Sequence, residues 1–361
     1  MAAMVSPGTL ELLSGRRRGP AALLARAALR MAALPYALAM RLRRRLYRWR
    51  ILPSRRAALP VVCVGNLTTG GTGKTPMVAW VVRRLVEQHH RPAVLTRGYK
   101  PVDGRADEAE LLTELTAAPV IVNADRAAGA AEAARRGADA VVMDDGFQHM
   151  RLRRDMDIVL IDAMNPFGYG HCLPRGLLRE PAAALRDADA VVITRSNALG
   201  DEAREKLKTR LSRLAPVATV HAAVHKPVAV IDQHGIEHPP HVMEGKPVVA
   251  FCGLGNPQGF FDTVERMGAM VLARRAFCDH ATYPGRRMAA LQAAAENAGA
   301  ELLVTTAKDA VKLPPRAPAA SGVPIWQVSV EMHLVEGARA LGEAVERAVR
   351  KRAEPPAARR V

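Results

Sequence analysis

Short apolar runs and stretches of helical spacing take turns along most of this chain. Residues 59–64 form the first run, and helical spacing follows from 75 to 88. Further runs lie at 93–96, 119–122, 140–143, 157–161 and 190–194, with helical stretches between them that include 107–115 and 127–136. Strands alternating with helices predict a doubly wound parallel sheet whose ligands sit at the carboxyl ends of the strands. From about Val217 the rhythm changes to short β-like runs at 218–224 and 228–231 around Asp232-Gln233-His234-Gly235, then a Pro- and His-rich stretch to Met243. A second α/β series begins at 247–251, passes through helices at 259–267 and 284–298, and includes a strand at 301–305. The expected partition is a leading segment at 1–56, a first α/β domain at 57–216, a β linker at 217–246, a smaller second α/β domain at 247–349 and a disordered tail at 350–361.

The junction between the first run and the first helix carries the sharpest chemistry. It reads Gly65-Asn66-Leu67-Thr68-Thr69-Gly70-Gly71-Thr72-Gly73-Lys74-Thr75-Pro76, a strand, a glycine-rich turn and a helix start. There, backbone N–H groups converge on an anion, the helix N-terminus adds its positive dipole end, the lysine reaches the outer phosphates and the threonine hydroxyl ligates Mg²⁺. The usual spacing G-x-x-x-x-G-K-[ST] puts a glycine where Thr68 stands, so this is a variant P-loop. Gly70, Gly71 and Gly73 still permit close backbone approach to phosphate. Thr68 through Thr75 are therefore the expected binding residues for a nucleoside triphosphate. Asp144-Asp145 ends the 140–143 run, the place where a nucleotide-binding fold keeps the carboxylate that holds Mg²⁺ opposite the loop threonine. Other polar residues are ambiguous from sequence alone: Asp107 and Glu108 suit a helix start, Arg126, Arg179 and Glu180 suit a solvated surface, and His280 suits a loop.

Composition adds a compartment and a surface. The chain has 361 residues, 49% apolar and only 4% aromatic, which suits two domains of soluble α/β type. Cys63, Cys172, Cys252 and Cys278 form no C-x-x-C pair, which argues against a zinc site or disulfide scaffold and for a reducing cytosol. Of the +17 net charge, +12 falls within residues 1–56, which hold thirteen arginines against one acid, Glu11. Between those arginines, residues 20–40 are rich in Ala, Leu and Met, and Arg41 to Arg50 follow with Tyr47 and Trp49 among them. Arg26 and Arg30 oppose a spanning helix, whereas an apolar stripe flanked by arginines suits a helix lying in the headgroup layer of an anionic leaflet. A secretory signal fits less well, because a nucleotide-binding strand follows almost at once without a convincing cleavage site. A nucleic-acid arm and a plain solvated basic helix are the other readings of the same charge.

Taken together, the motifs resemble the tetraacyldisaccharide 4′-kinase (lipid A 4′-kinase) family of Gram-negative bacteria over residues 20–345. The resemblance rests on the variant loop from Val64 to Pro76, with Thr68 the family's own form, and on Thr96-Arg97-Gly98-Tyr99. It also rests on Asp144-Asp145-Gly146-Phe147-Gln148-His149, on 173–181 (LPRGLLREP), on 251–257 (FCGLGNP), on Asp279-His280 with Tyr283, and on 308–313 (KDAVKL). It implies a P-loop kinase domain and a second α/β domain joined by a small β linker, with an amphipathic N-terminal membrane helix. The implied activity is transfer of the ATP γ-phosphoryl group to the 4′-hydroxyl of a tetraacylated glucosamine disaccharide 1-phosphate, at the cytoplasmic face of the inner membrane. Carried over, Asp107 is the base with Glu108 beside it, His280 is its partner, and Lys74 and Thr75 serve ATP and Mg²⁺. Asp144 and Asp145 serve the metal, and Tyr99, Arg126, Gln148, His149, Arg179 and Glu180 form the surrounding polar shell. No nucleic acid and no obligatory protein partner are expected. Three departures stand out: Ala106-Asp107-Glu108-Ala109 replaces G-D-E-P, Tyr169 stands where asparagine is expected, and Ala307 where glutamate is usual.

Two other readings compete. Another variant-loop NTPase shares the loop, but the guanine-specific N-K-x-D motif is absent. A membrane-bound ATPase switch shares the loop and basic anchor, yet it needs neither an acceptor-hydroxyl base nor a second domain supplying a histidine.

Overall fold

The computed structural model of the chain describes residues 7–98, 107–278, 281–313 and 322–353. Two helices lead, α1 (Pro7–Ser14) and α2 (Pro20–Arg48), followed by β1 (Val61–Asn66), α3 (Lys74–Glu87), β2 (Pro92–Thr96), α4 (Asp107–Thr116), β3 (Val120–Val122) and α5 (Arg126–Arg135). Next come β4 (Ala140–Asp144), β5 (Met156–Asp162), β6 (Ala190–Thr194), α6 (Asp201–Leu214), β7 (Thr219–Ile231) and β8 (Glu237–His238). The remainder is β9 (Pro247–Cys252), α7 (Gln258–Arg266), β10 (Met270–Ala276), α8 (Gly285–Ala298), β11 (Leu302–Thr306), α9 (Ala307–Ala310), β12 (Ile325–Glu336) and α10 (Ala338–Ala353). The described residues divide into two compact units, 7–224 with 332–353, and 225–331. Strands β7 and β12 each carry the chain from one unit to the other.

In the first unit the strands lie in the order β7-β6-β5-β1-β4-β2-β3, all parallel. This is the doubly wound architecture the alternation predicts. Every residue of β1, β4, β5 and β6 is buried, because helices cover both faces. Val62 and Val64 point into a core shared with Met77, Val81 and Leu85 of α3, while Val61 and Cys63 meet Ala130 and Ala133 of α5 on the other face. β1 lies between β4 and β5, neither its neighbour in sequence, so the carboxyl ends of these three strands border the crevice where such sheets take ligands.

The second unit repeats the theme on a smaller scale. Its strands run β10-β9-β11-β12 in parallel, with β8 antiparallel to the end of β7. Phe251, Tyr283 and Leu291 pack on one face and Phe260, Phe261 and Val264 on the other. The sequence partition gave 247–349 to this domain, but the last helix departs from it. Leu341, Val345 and Val349 of α10 are buried in the first unit's core with Val81 and Leu85, at the spacing of one helical face.

Helix α2 is continuous through Pro35 and has two unlike faces. Ala22, Ala33 and Arg44 are buried, and Tyr36 and Ala37 pack on the first unit's core. The Tyr36 hydroxyl donates to the Arg179 carbonyl at 2.8 Å. The other face leaves Leu24, Met31, Leu34, Leu38 and Leu42 more than half exposed.

Candidate active site

The buried β1 delivers the chain into the loop at 67–73, and glycine backbones shape its exit. Gly70 has φ 118° and Gly73, at the N-cap of α3, has φ 88°, conformations that disfavour any side chain. Gly65 is also required, because a Cβ there would lie 2.6 Å from the Phe147 Cβ. The loop is pinned on two sides. Toward 177–179, the Thr69 N–H donates to the Leu177 carbonyl at 2.8 Å and the Arg179 N–H to the Leu67 carbonyl at 2.7 Å, with Thr68 bridged to Leu178. Toward β6, Thr194 and Arg195 donate to the Thr72 and Gly71 carbonyls at 3.0 and 2.8 Å. Thr72 is buried, and its hydroxyl accepts a 2.9 Å bond from Asn66 Nδ2, so its side chain builds the loop rather than facing a ligand. Gly71, Lys74 and Thr75 are at least partly exposed at the mouth.

Asp145 lies opposite. Its carboxylate is 3.6 Å from Lys74 Nζ and accepts two bonds from Arg179 Nη1 at 2.9 and 3.0 Å. Burial pushes this carboxyl up, but Lys74 and Arg179 outweigh that and hold it below the usual aspartate value. Asp145 sits at φ 48°, an uncommon non-glycine conformation held here by its two cationic partners. Asp144, the last residue of β4, is buried, and Arg126 Nη2 donates to its carbonyl at 3.2 Å. Burial weakens the Arg126 guanidinium's hold on its proton, while Asp144 and Asp145 counter that. Gln148 Nε2 donates to the Asn66 carbonyl at 2.8 Å, tying this turn to β1. His149 has its pKa pushed down to about 4 by burial and by the nearby Arg126, Arg154, Arg151 and Arg43, so its imidazole is neutral near pH 7.

Glu180 follows Arg179 in sequence but faces elsewhere. Buried, it accepts from Arg44 of α2 at 2.9 and 2.5 Å and lies 3.6 Å from Arg43. Arg44 also donates to Asp187 at 2.8 Å, and its guanidinium rests 4.5 Å from the Phe147 ring centre. The carboxylate expected in the polar shell thus fastens the N-terminal helix. Tyr99, the side chains of Asp107 and Glu108, and His280 lie outside the described residues; the backbone of Asp107 and Glu108 begins α4.

The chain as a whole has relatives. Residues 25–350 match the family model described as tetraacyldisaccharide-1-P 4′-kinase, LpxK. A tetraacyldisaccharide 4′-kinase of Anaeromyxobacter sp. (strain K) is 39% identical over 370 aligned positions, covering 96% of this chain and 97% of that protein. The chain belongs to the tetraacyldisaccharide 4′-kinase family. It is a kinase of lipid A biosynthesis. A further family member, from Geobacter sulfurreducens, is 37% identical and covers 91% of this chain and 95% of its own length. The structure of LpxK from Aquifex aeolicus in complex with ATP agrees in fold, with a TM-score of 0.68 over 90% of this chain and 99% of that one at 24% identity.

Within this family fold, four contributors to the site escaped the sequence reading: Arg44, Asp162, Thr194 and Arg195. Each acts on a residue more than 30 positions away. No local spacing marks such pairs.

Proposed function

We propose that this kinase moves the γ-phosphoryl group of ATP to the 4′-hydroxyl of a tetraacyldisaccharide 1-phosphate, forming lipid IVA. The observation that carries the reading is the convergence of Lys74, Arg179 and an ionised Asp145 on the mouth of the loop at 67–73. Phosphoryl transfer asks a protein for positioning and charge neutralisation more than covalent work. The loop amides and Lys74 hold the β- and γ-phosphates, and Arg179 and Arg126 add positive charge nearby. Hard oxygen donors suit Mg²⁺, and an ionised Asp145, a buried Asp144 and Thr75 in the first turn of α3 are such donors. When bound, the ion neutralises charge on the phosphate oxygens. Asp107 serves as the base that takes the 4′-hydroxyl proton, and His280 orients it and favours its ionised form. Tyr99, Glu108, Gln148 and His149 complete the polar surroundings.

The exposed stripe of α2 supports attachment at the cytoplasmic face of the inner membrane. Leu24, Met31, Leu38 and Leu42 recur at the spacing of one helical face, beside the arginine-rich end of the helix. By length and composition α2 is also apolar enough to cross a membrane, but its docked face favours lying along the surface. Deleting residues 1–50 is expected to weaken binding to anionic vesicles, and salt to weaken binding of the full chain, both read by flotation. The function itself is tested by ATP turnover in detergent with and without the lipid. Turnover should depend on it, and equal turnover in its absence would favour an ATPase switch.

A further inference from the structure

We infer that Arg195 and Thr194, at the carboxyl end of β6, are positioning residues that set two peptide planes of the ATP-binding loop; this rests on the reading of 67–73 as that loop. The Thr194 hydroxyl donates to the Thr72 carbonyl at 3.0 Å, a bond buried in the first unit. Arg195 Nη2 donates to the Gly71 carbonyl at 2.8 Å. The same guanidinium is locked from behind by Asp162, the last residue of β5: Nε donates to Oδ1 at 3.0 Å and Nη2 makes a short contact with Oδ2. Asp162 is itself buried, and its Oδ1 also accepts from the Met164 N–H at 3.1 Å. Arg195 has φ 54° and ψ 35°, a left-handed conformation rare outside glycine, kept by this set of contacts.

The consequence follows from the planar trans peptide, in which C=O and the next N–H point in opposite directions. With the Gly71 and Thr72 carbonyls turned toward β6, the Thr72 and Gly73 N–H groups point away from it. Those amides belong to the turn that enters α3, where converging N–H groups and the helix dipole make an anion cradle. Asn66 completes the brace by holding the Thr72 side chain at 2.9 Å. An arginine suits the role because its planar fork engages a carboxylate and still has a donor for a carbonyl, whereas a lysine's compact ammonium has no such fork. Strands β5 and β6 thereby impose on the loop the orientation that nucleotide binding needs before any nucleotide arrives.

The test is equilibrium ATP binding by calorimetry on the full chain in detergent with MgCl₂, together with separate KM values for ATP and lipid. Arg195→Ala should raise the ATP Kd and ATP KM about tenfold or more while the lipid KM stays within about twofold. Thr194→Val, which keeps shape and removes the hydroxyl, should raise the ATP Kd several-fold, and Thr194→Ser should return it to near the parent value. Should Arg195→Ala fail to fold, the Thr194 pair decides. Unchanged ATP affinity in a folded Arg195→Ala or in Thr194→Val would overturn the brace, as would equal rises in both KM values. A parent chain that binds no ATP would instead strike the reading of the loop itself.

Discussion

The loop between β1 and α3 and the loop between β9 and α7 both leave the carboxyl end of a buried parallel strand, enter a helix and are rich in glycine. Their charged neighbours differ. Around the first, Lys74, Asp145 and Arg179 keep 17%, 34% and 27% of their side chains exposed. Beside the second, Asp309 is fully buried and Lys312 only 3% exposed, 3.6 Å from it. Asp309 accepts from the Gly253 N–H at 2.9 Å and the Thr306 hydroxyl at 2.8 Å. It also raises the already burial-shifted pKa of the neighbouring Cys252 thiol, which reaches about 12. An α/β sheet offers a ligand crevice wherever parallel strands end. At the first loop part of the charge stays reachable at the mouth, whereas at the second the Asp309 carboxylate is turned inward and holds the Gly253 N–H. The first loop is thus read as a phosphate site and the second as a structural turn of its unit.

That contrast breaks first at Lys74. Lys74→Ala or Thr75→Ala should lower kcat/KM by about 10²–10³-fold or more, because in the proposed mechanism both act on charge that grows in the transition state. Steady-state kinetics checks this, and near-parental turnover in either variant would remove the first loop from the chemistry. At the second loop the expected loss is of stability. Asp309→Ala leaves Lys312 buried without its partner and should destabilise the fold by about 3–5 kcal/mol. The double change Asp309→Ala with Lys312→Met should recover much of that in thermal melts, while ATP affinity stays at the parent level in both. A selective loss of ATP affinity in the double variant would mean that the second loop also serves nucleotide.

The smallest effect sharpens the electrostatics around the first loop. His149 has an ordinary pKa of 6.5 but about 4 in the folded chain, so the unfolded chain takes up this proton first as pH falls. Its contribution to stability therefore declines between pH 6.5 and 4 and is complete above that window. Melting midpoints across the window should fall less steeply for His149→Gln than for the parent. Parallel curves would show that burial and the surrounding arginines do not suppress the histidine's charge.

Much of this was legible in sequence, and the reasons are specific. Residues 61–66, 140–144 and 156–162 are buried on both faces and therefore read as apolar runs, and the doubly wound sheet followed from them. The loop at 67–75 was visible because its chemistry is local: glycines, lysine and threonine lie within one turn of chain. Helix α6 escaped notice because it carries charge nearly throughout and buries only Leu207 and Leu211. Helix α10 was assigned to the wrong unit because an apolar stripe does not say which core it enters. The role of Glu180 was illegible for a related reason: its partner Arg44 lies 136 residues away, on a helix whose arginines point in sequence to a membrane surface.

The most direct test of the central claim follows the phosphoryl group. Full-length chain is incubated with ATP radiolabelled at the γ-position and tetraacyldisaccharide 1-phosphate, and the lipid product is recovered and treated with mild acid, which cleaves an anomeric phosphate but spares an ester at the 4′-oxygen. Label that enters the lipid and survives the acid is the predicted result. Label found only in inorganic phosphate, or lost from the lipid on acid treatment, would contradict it.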